Sequence, residues 1–248
     1  MLLFAAGTVQ GGEASAAAAT HQRQSVLVFG DSLSWQSSSY LRRDFNPTTT
    51  HDYLRLYPGT ALCDWFPEID KLSTRNPPDV VVLQFFGNHS TKCIATSPDF
   101  VAQYGRDLRT AIAQLLALGV KGIVVDAGPT TPIATWRSSL IATYRHVIAS
   151  FHSKDILYAG SADFAVESPT GGFVTTLQCL PVEVKYHKCF AGSMITVRAT
   201  DKVHFCPTTQ VSKIGPCPVY ASGAYRFAHG LAGAVWTVDP ATKPAPGT

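Results

Sequence analysis

The stretch Asp79–Phe86 constrains the fold more than any other, because Val80-Val81-Val82-Leu83 is continuously apolar and mostly β-branched. A strand with one wet face alternates apolar and polar residues. A strand that is apolar at every position needs cover on both faces, and helices flanking a parallel sheet provide it. The rest of the chain supplies strands and helices in alternation. Ser25–Phe29 is an apolar strand, followed by a helix over Leu33–Arg43. Tyr53–Tyr57 reads as a short second strand ended by Pro58-Gly59. Ala61–Leu72 spaces Leu62, Phe66, Ile69 and Leu72 as a helix does. Ser97 is the expected cap of a helix with Pro98 at its first position, running to Leu118 and stopping at Gly119. Gly122–Asp126 is the next strand, Trp136–Phe151 a helix and Asp155–Ala159 the last parallel strand. Tyr220–Val235 closes the pattern as a helix. Between Gly160 and Pro218 the periodicity weakens. The alternation predicts a single three-layer α/β/α domain over 21–239 with a central, mostly parallel sheet.

A chain of 248 residues with 46% hydrophobic content suits one such domain. The net charge of +3 comes from scattered basic residues, so no nucleic-acid partner is expected. No apolar run reaches the roughly 18 residues of a membrane span. Residues 1–20 read as a secretory signal: Met1–Val9 is apolar, and Ala14-Ser15-Ala16 or Ala17-Ala18-Ala19 would be the processing site. The basic leader of such a signal is missing, so the alternative is a plain apolar tail. Residues 240–248, rich in Pro and Ala, read as a disordered tail. Six cysteines without a Cys-x-x-Cys pair fit disulfides in an oxidising, extracytoplasmic compartment. Many pairings are possible. Sequential pairing is expected, as Cys63–Cys93, Cys179–Cys189 and Cys206–Cys217. The rival is a zinc site from Cys179, His187, Cys189, His204 and Cys206. Structural zinc sites show tighter cysteine spacing, so no metal and no cofactor is expected.

The candidate chemistry begins at Gly30-Asp31-Ser32-Leu33, directly behind the first strand. A turn there lies at the carboxyl edge of the sheet, where α/β proteins place their sites. A serine hydroxyl becomes a nucleophile only when a base takes its proton. Asp201-Lys202-Val203-His204 offers one: the carboxylate can fix one ring nitrogen of His204 and leave the other free. Asn88, after the strongest strand, could donate its amide to a developing oxyanion, a contribution of about 3 kcal/mol. Gly59, ending the second strand, and Ser32 itself could add backbone N–H donors. Each has a bland alternative. Asp201 could cap a helix, His204 could be a surface residue, Asn88 a turn asparagine and Gly59 a turn glycine. Asn88-His89-Ser90 also spells a glycosylation sequon. Asp31 is read as a structural hydrogen-bonding residue. His89 could touch substrate or simply face solvent, and Trp35, Trp65 and Trp136 are read as core before pocket.

Together these residues resemble the SGNH (GDSL-type) hydrolase family. Gly30-Asp31-Ser32-Leu33, Gly59 within Pro58-Gly59-Thr60-Ala61-Leu62-Cys63-Asp64-Trp65, Gly87-Asn88, and Asp201-Lys202-Val203-His204 follow the order of the family's blocks. Gly59–Trp65 and His204-Phe205-Cys206-Pro207 look similar to secreted actinobacterial members. The resemblance implies an SGNH/flavodoxin-like fold and a secreted serine esterase acting on O-acyl esters of carbohydrate or lipid, carried on a small molecule or a polysaccharide; a monomer is expected. It implies Ser32 as nucleophile, His204 as general base and acid, and Asp201 as its orienter. Ser32, Gly59 and Asn88 would form the oxyanion hole. A Cys63–Cys93 bridge would then hold two of the oxyanion donors in fixed relation. The same residues would serve an O-acyltransferase. A non-catalytic carbohydrate-binding copy would be expected to have lost one of them.

Overall fold

A computed structural model describes residues 24–45, 49–186, 188–207 and 216–239. Five strands, β1 (Gln24–Gly30), β2 (Thr49–Leu56), β3 (Val80–Gln84), β4 (Gly122–Asp126) and β5 (Ile156–Tyr158), pair in parallel in the order β2-β1-β3-β4-β5. Every residue of β3 and β4 is buried, as their unbroken apolar character requires. Helices α1 (Ser32–Phe45) and α7 (Ser222–Val238) cover one face, and α3 (Phe100–Ala117) and α4 (Arg137–Ala149) the other. Strand alternation sends Val26, Val28, Val82 and Val124 to the first layer, against Leu33, Leu41, Phe227 and Leu231. Leu27, Phe29, Val81, Leu83 and Val125 go to the second, against Tyr104, Leu108, Ile112 and Tyr144. The chain leaves β1 toward β2 and returns past β1 to β3, so a crevice opens between the carboxyl ends of β1 and β3.

Local chemistry explains where the elements differ from the sequence pattern. The Ala61–Leu72 stretch is not one helix: a 3₁₀ turn over Leu62–Trp65 leads into the short α2 (Phe66–Ile69). Pro67 has no N–H to continue the first turn but is tolerated at the start of a new one. The α3 cap is Asp99, whose carboxylate accepts the Ala102 N–H at 3.0 Å. Pro98 therefore precedes the helix, and Ser97 is not its cap. The stretch after Gly160 is more ordered than its weak periodicity suggested. It holds α5 (Gly160–Phe164), an antiparallel ribbon of β6 (Thr176–Gln178) and β7 (Met194–Thr196), and α6 (Pro181–Lys185) between those strands.

All six cysteines are bridged, as Cys63–Cys93, Cys179–Cys189 and Cys206–Cys217. The zinc alternative fails because Cys179, Cys189 and Cys206 are disulfide-bonded and His204 is engaged elsewhere; His187 lies outside the described residues. The signal reading of 1–20 and the tail reading of 240–248 also fall outside them. Among the described residues no helix is long and apolar enough to cross a membrane.

Candidate active site

Ser32 is the first residue of α1, separated from β1 by Asp31 alone. Asp31 caps that helix: its Oδ1 accepts the Leu33 N–H at 3.0 Å, and its carbonyl accepts the Trp35 N–H. The other carboxylate oxygen of Asp31 accepts the Phe86 N–H at 2.6 Å and the Asn88 side-chain amide at 3.1 Å. One buried acid thus joins the turn after β1 to the loop after β3. Burial pushes the Asp31 carboxyl up to about 6, although the Phe86 and Leu33 N–H groups and the His204 and Arg137 charges oppose it. The structural reading of Asp31 holds.

The structure brings Ser32, Asp201 and His204 into one line. His204 Nε2 lies 2.9 Å from Ser32 Oγ, and His204 Nδ1 lies 2.6 Å from Asp201 Oδ2. The second Asp201 oxygen accepts the Val203 and His204 N–H groups, each at 2.9 Å. This tight turn needs Lys202 in the left-handed region at φ 65°, and it is closed by the Ala199 N–H donating to the His204 carbonyl at 2.6 Å. Burial raises the Asp201 carboxyl, but the hydrogen bonds from the His204 backbone, the imidazole and the Val203 N–H prevail, and it stays below its ordinary value. An ionised Asp201 at Nδ1 puts the imidazole proton on that side and leaves Nε2 as acceptor toward Ser32. The turn's carbonyl at Val203 is held by Arg198 Nη1 at 3.1 Å. Burial pushes this guanidinium down to about 10, against the Glu167 and Asp163 charges.

The oxyanion candidates surround the same serine. Gly59 sits in the turn after β2 with φ 78°. Among the described residues neither its N–H nor that of Ser32 makes a hydrogen bond. Both are therefore available to a ligand. The Asn88 amide is committed instead: its N–H groups donate to Asp31 Oδ2 and, at 3.0 Å, to the Thr60 carbonyl. Asn88 thus laces the loops after β1, β2 and β3 together. Half-buried and doubly bonded, it is a poor sequon acceptor. The Cys63–Cys93 bridge, with Cα atoms 6.1 Å apart, joins the chain just after Gly59 to the chain just after Asn88.

The aromatic candidates divide. Trp65 packs on Phe29 and donates its indole N–H to Thr60 Oγ1 at 3.1 Å, so it is a half-buried residue packed against the core. Trp136 stands over Gly87, and its ring meets Phe86, Phe100 and His89. His89 stacks on Phe100 with centroids 4.7 Å apart and remains exposed. Trp35 stands edge-on to Tyr57, which is 63% exposed. Sequence reasoning missed three polar side chains that build the site from beneath. Gln84 Oε1, at the end of β3, accepts both the N–H and the hydroxyl of Ser34. Arg137 bonds the carbonyls of Phe86 and Pro129, joining the loops after β3 and β4. Gln36 reaches the chain after His204. The signal for Gln36 was present: with Ser34 and Ser37 it is a polar residue on a helix face that should be apolar.

No family model matches the chain, and no curated protein matches it. Solved structures share its fold. A mutant of an acetyl-xylooligosaccharide esterase from Geobacillus stearothermophilus aligns at TM-score 0.52 and 12% identity, over 86% of this chain and 94% of its own. A catalytic mutant of an acetylxylan esterase from that organism aligns at 0.51 and 13%, over 87% and 94%. An α/β hydrolase from the metagenome of Lake Arreo, Spain, aligns at 0.51 and 13%, over 87% and 96%. Identities this low establish common architecture and nothing finer.

Proposed function

We propose that the chain is a secreted serine ester hydrolase of the SGNH type, with Ser32 as nucleophile, His204 as general base and acid, and Asp201 as its orienter. The observation that carries this reading is the unbroken relay from Asp201 Oδ2 through the imidazole to Ser32 Oγ, with contacts of 2.6 and 2.9 Å. In the first half-reaction the Ser32 proton passes to His204 Nε2 while Oγ bonds to the ester carbonyl carbon. The Ser32 and Gly59 N–H groups receive the oxyanion. Asn88, whose two N–H groups bond Asp31 and Thr60, sets the spacing of these two donors instead of donating itself. The tetrahedral adduct collapses, His204 returns the proton to the leaving alkoxide, and the alcohol departs. In the second half-reaction water gives a proton to His204 and attacks the acyl carbon, releasing the carboxylic acid and restoring Ser32.

Water access favours hydrolysis over acyl transfer, because the side chains of His204 and Asp201 are 23% and 40% exposed. The same open edge suits an acyl group carried on a bulky alcohol. The acetylxylan esterase neighbours suggest short acyl esters of carbohydrate as the first substrates to try. Three disulfides support an oxidising, extracytoplasmic location. Ser32→Ala is expected to lower turnover of p-nitrophenyl acetate by roughly 10⁵-fold with an unchanged thermal unfolding profile. A panel from acetate to palmitate, with acetylated sugars alongside, ranks the acyl groups. Turnover retained in Ser32→Ala would sink the mechanism.

A further inference from the structure

We propose that Gln36 is a positioning residue that holds His204 in register with Ser32, an inference that rests on the esterase reading. Gln36 lies four residues after Ser32 on α1, one helical turn further along the same face. Helical side chains lean toward the N-terminus, so its amide lies over the turn that carries the nucleophile. Its Oε1 accepts the Phe205 N–H at 2.8 Å and the Cys206 N–H at 3.3 Å. Those are the two backbone donors directly after His204. One oxygen on the nucleophile's helix therefore fixes the chain that presents the base.

The other polar contacts of the His204 turn are of a different kind. The bonds from the Val203 and His204 N–H groups to Asp201, from the Ala199 N–H to the His204 carbonyl, and from Arg198 to the Val203 carbonyl all lie within residues 198–204. They shape the turn without placing it against α1. Among the described residues, apart from the Ser32–His204 contact itself, the hydrogen bonds that span the two segments are those of Gln36. The tether is dry, since Gln36 is 2% exposed, so water does not readily replace the lost acceptor. Among the described residues its Nε2 has no hydrogen-bond partner, so here the amide acts as an acceptor. Displacement of a catalytic group by about 1 Å can cost on the order of 100-fold in rate, so loosening this tether acts on kcat.

The test compares wild type, S32A, Q36M, Q36N and Q36E. Met fills the space without an acceptor, Asn is one methylene short, and Glu keeps the acceptor. Measurements are kcat and KM on p-nitrophenyl acetate, the rate of Ser32 labelling by a fluorophosphonate, and the melting temperature. Q36M and Q36N are expected to lose about 10- to 100-fold in kcat and in labelling rate, with KM within about twofold of wild type. Q36E is expected to recover most of that loss. Should Q36M fail to fold, Q36N, which retains a polar amide, carries the comparison. Wild-type kcat in Q36M and Q36N, with only a lowered melting temperature, overturns the proposal and leaves the esterase reading intact. A wild type that neither hydrolyses esters nor takes the label overturns the esterase reading, and the proposal with it.

Discussion

Gly87 shows how much a single residue decides at this site. It sits at φ 106°, and a Cβ there would lie 2.5 Å from the Trp136 ring. Two costs coincide, backbone strain and overpacking, each about 1–3 kcal/mol. Gly87→Ala is therefore expected to destabilise by about 2–6 kcal/mol in urea denaturation and to lower activity by shifting Asn88 next to it. A loss under about 1 kcal/mol would mean that Trp136 yields freely. At this scale the sequence was readable for residues whose chemistry is rare at their position. A serine behind a buried strand and an Asp-x-x-His turn announce themselves. Asn88 was visible as a polar residue at the right edge, but its bonds to Asp31 and Thr60 were not, because those partners are 57 and 28 residues away in the chain. The bonds of Gln36 were hidden for the same reason, its partners lying 169 and 170 residues away.

Among elements, those with a strong period were legible and those built on side-chain contacts were not. β3, β4 and α4 fall within a few residues of where apolar patterning puts them. The stretch from Gly160 to β7, which leads the chain back to His204, has almost no periodicity and is secured by a buried ion pair. Arg226 of α7 donates to Glu183 of α6 at 2.6 Å and to the Gln178 carbonyl of β6 at 2.7 Å. Glu183 also accepts from Tyr220, Ser222 and the Leu180 N–H. Burial raises its carboxyl, but the hydrogen bonds from Arg226, Ser222, the Leu180 N–H and Tyr220 together hold it low. Removing one partner strands the other without water. Glu183→Leu is expected to cost about 3–5 kcal/mol, and the double replacement with Arg226→Leu much less. Equal losses in the single and double variants, read by chemical denaturation, would show that the pair is not what fixes α6 to α7.

The whole molecule carries a pH signature. Burial pushes the carboxyls of Asp31 and Asp163 up to about 6 from an ordinary 3.8. The folded state then keeps protons that the unfolded chain has released, so their stabilisation is full below about 4 and is lost as pH rises through about 6. Asp201, Asp79 and Glu183 lie below their ordinary values despite burial, because of their hydrogen-bond partners. Their stabilisation is present above about 4 and is lost as pH falls further. The melting temperature is therefore expected to peak between about pH 4 and 6, and calorimetry across pH 3–9 checks it; a value still climbing from 6 to 8 would contradict this balance. Strand and helix periodicity are local, so the order of residues already specifies the layered α/β architecture and which chemical groups stand at strand ends. The tertiary structure alone decided which of them meet: the dry Gln36 tether, the double commitment of Asn88 and the Glu183–Arg226 clamp. A hydrogen bond between distant residues depends on angstrom-scale packing of the intervening chain, and no local pattern encodes that distance.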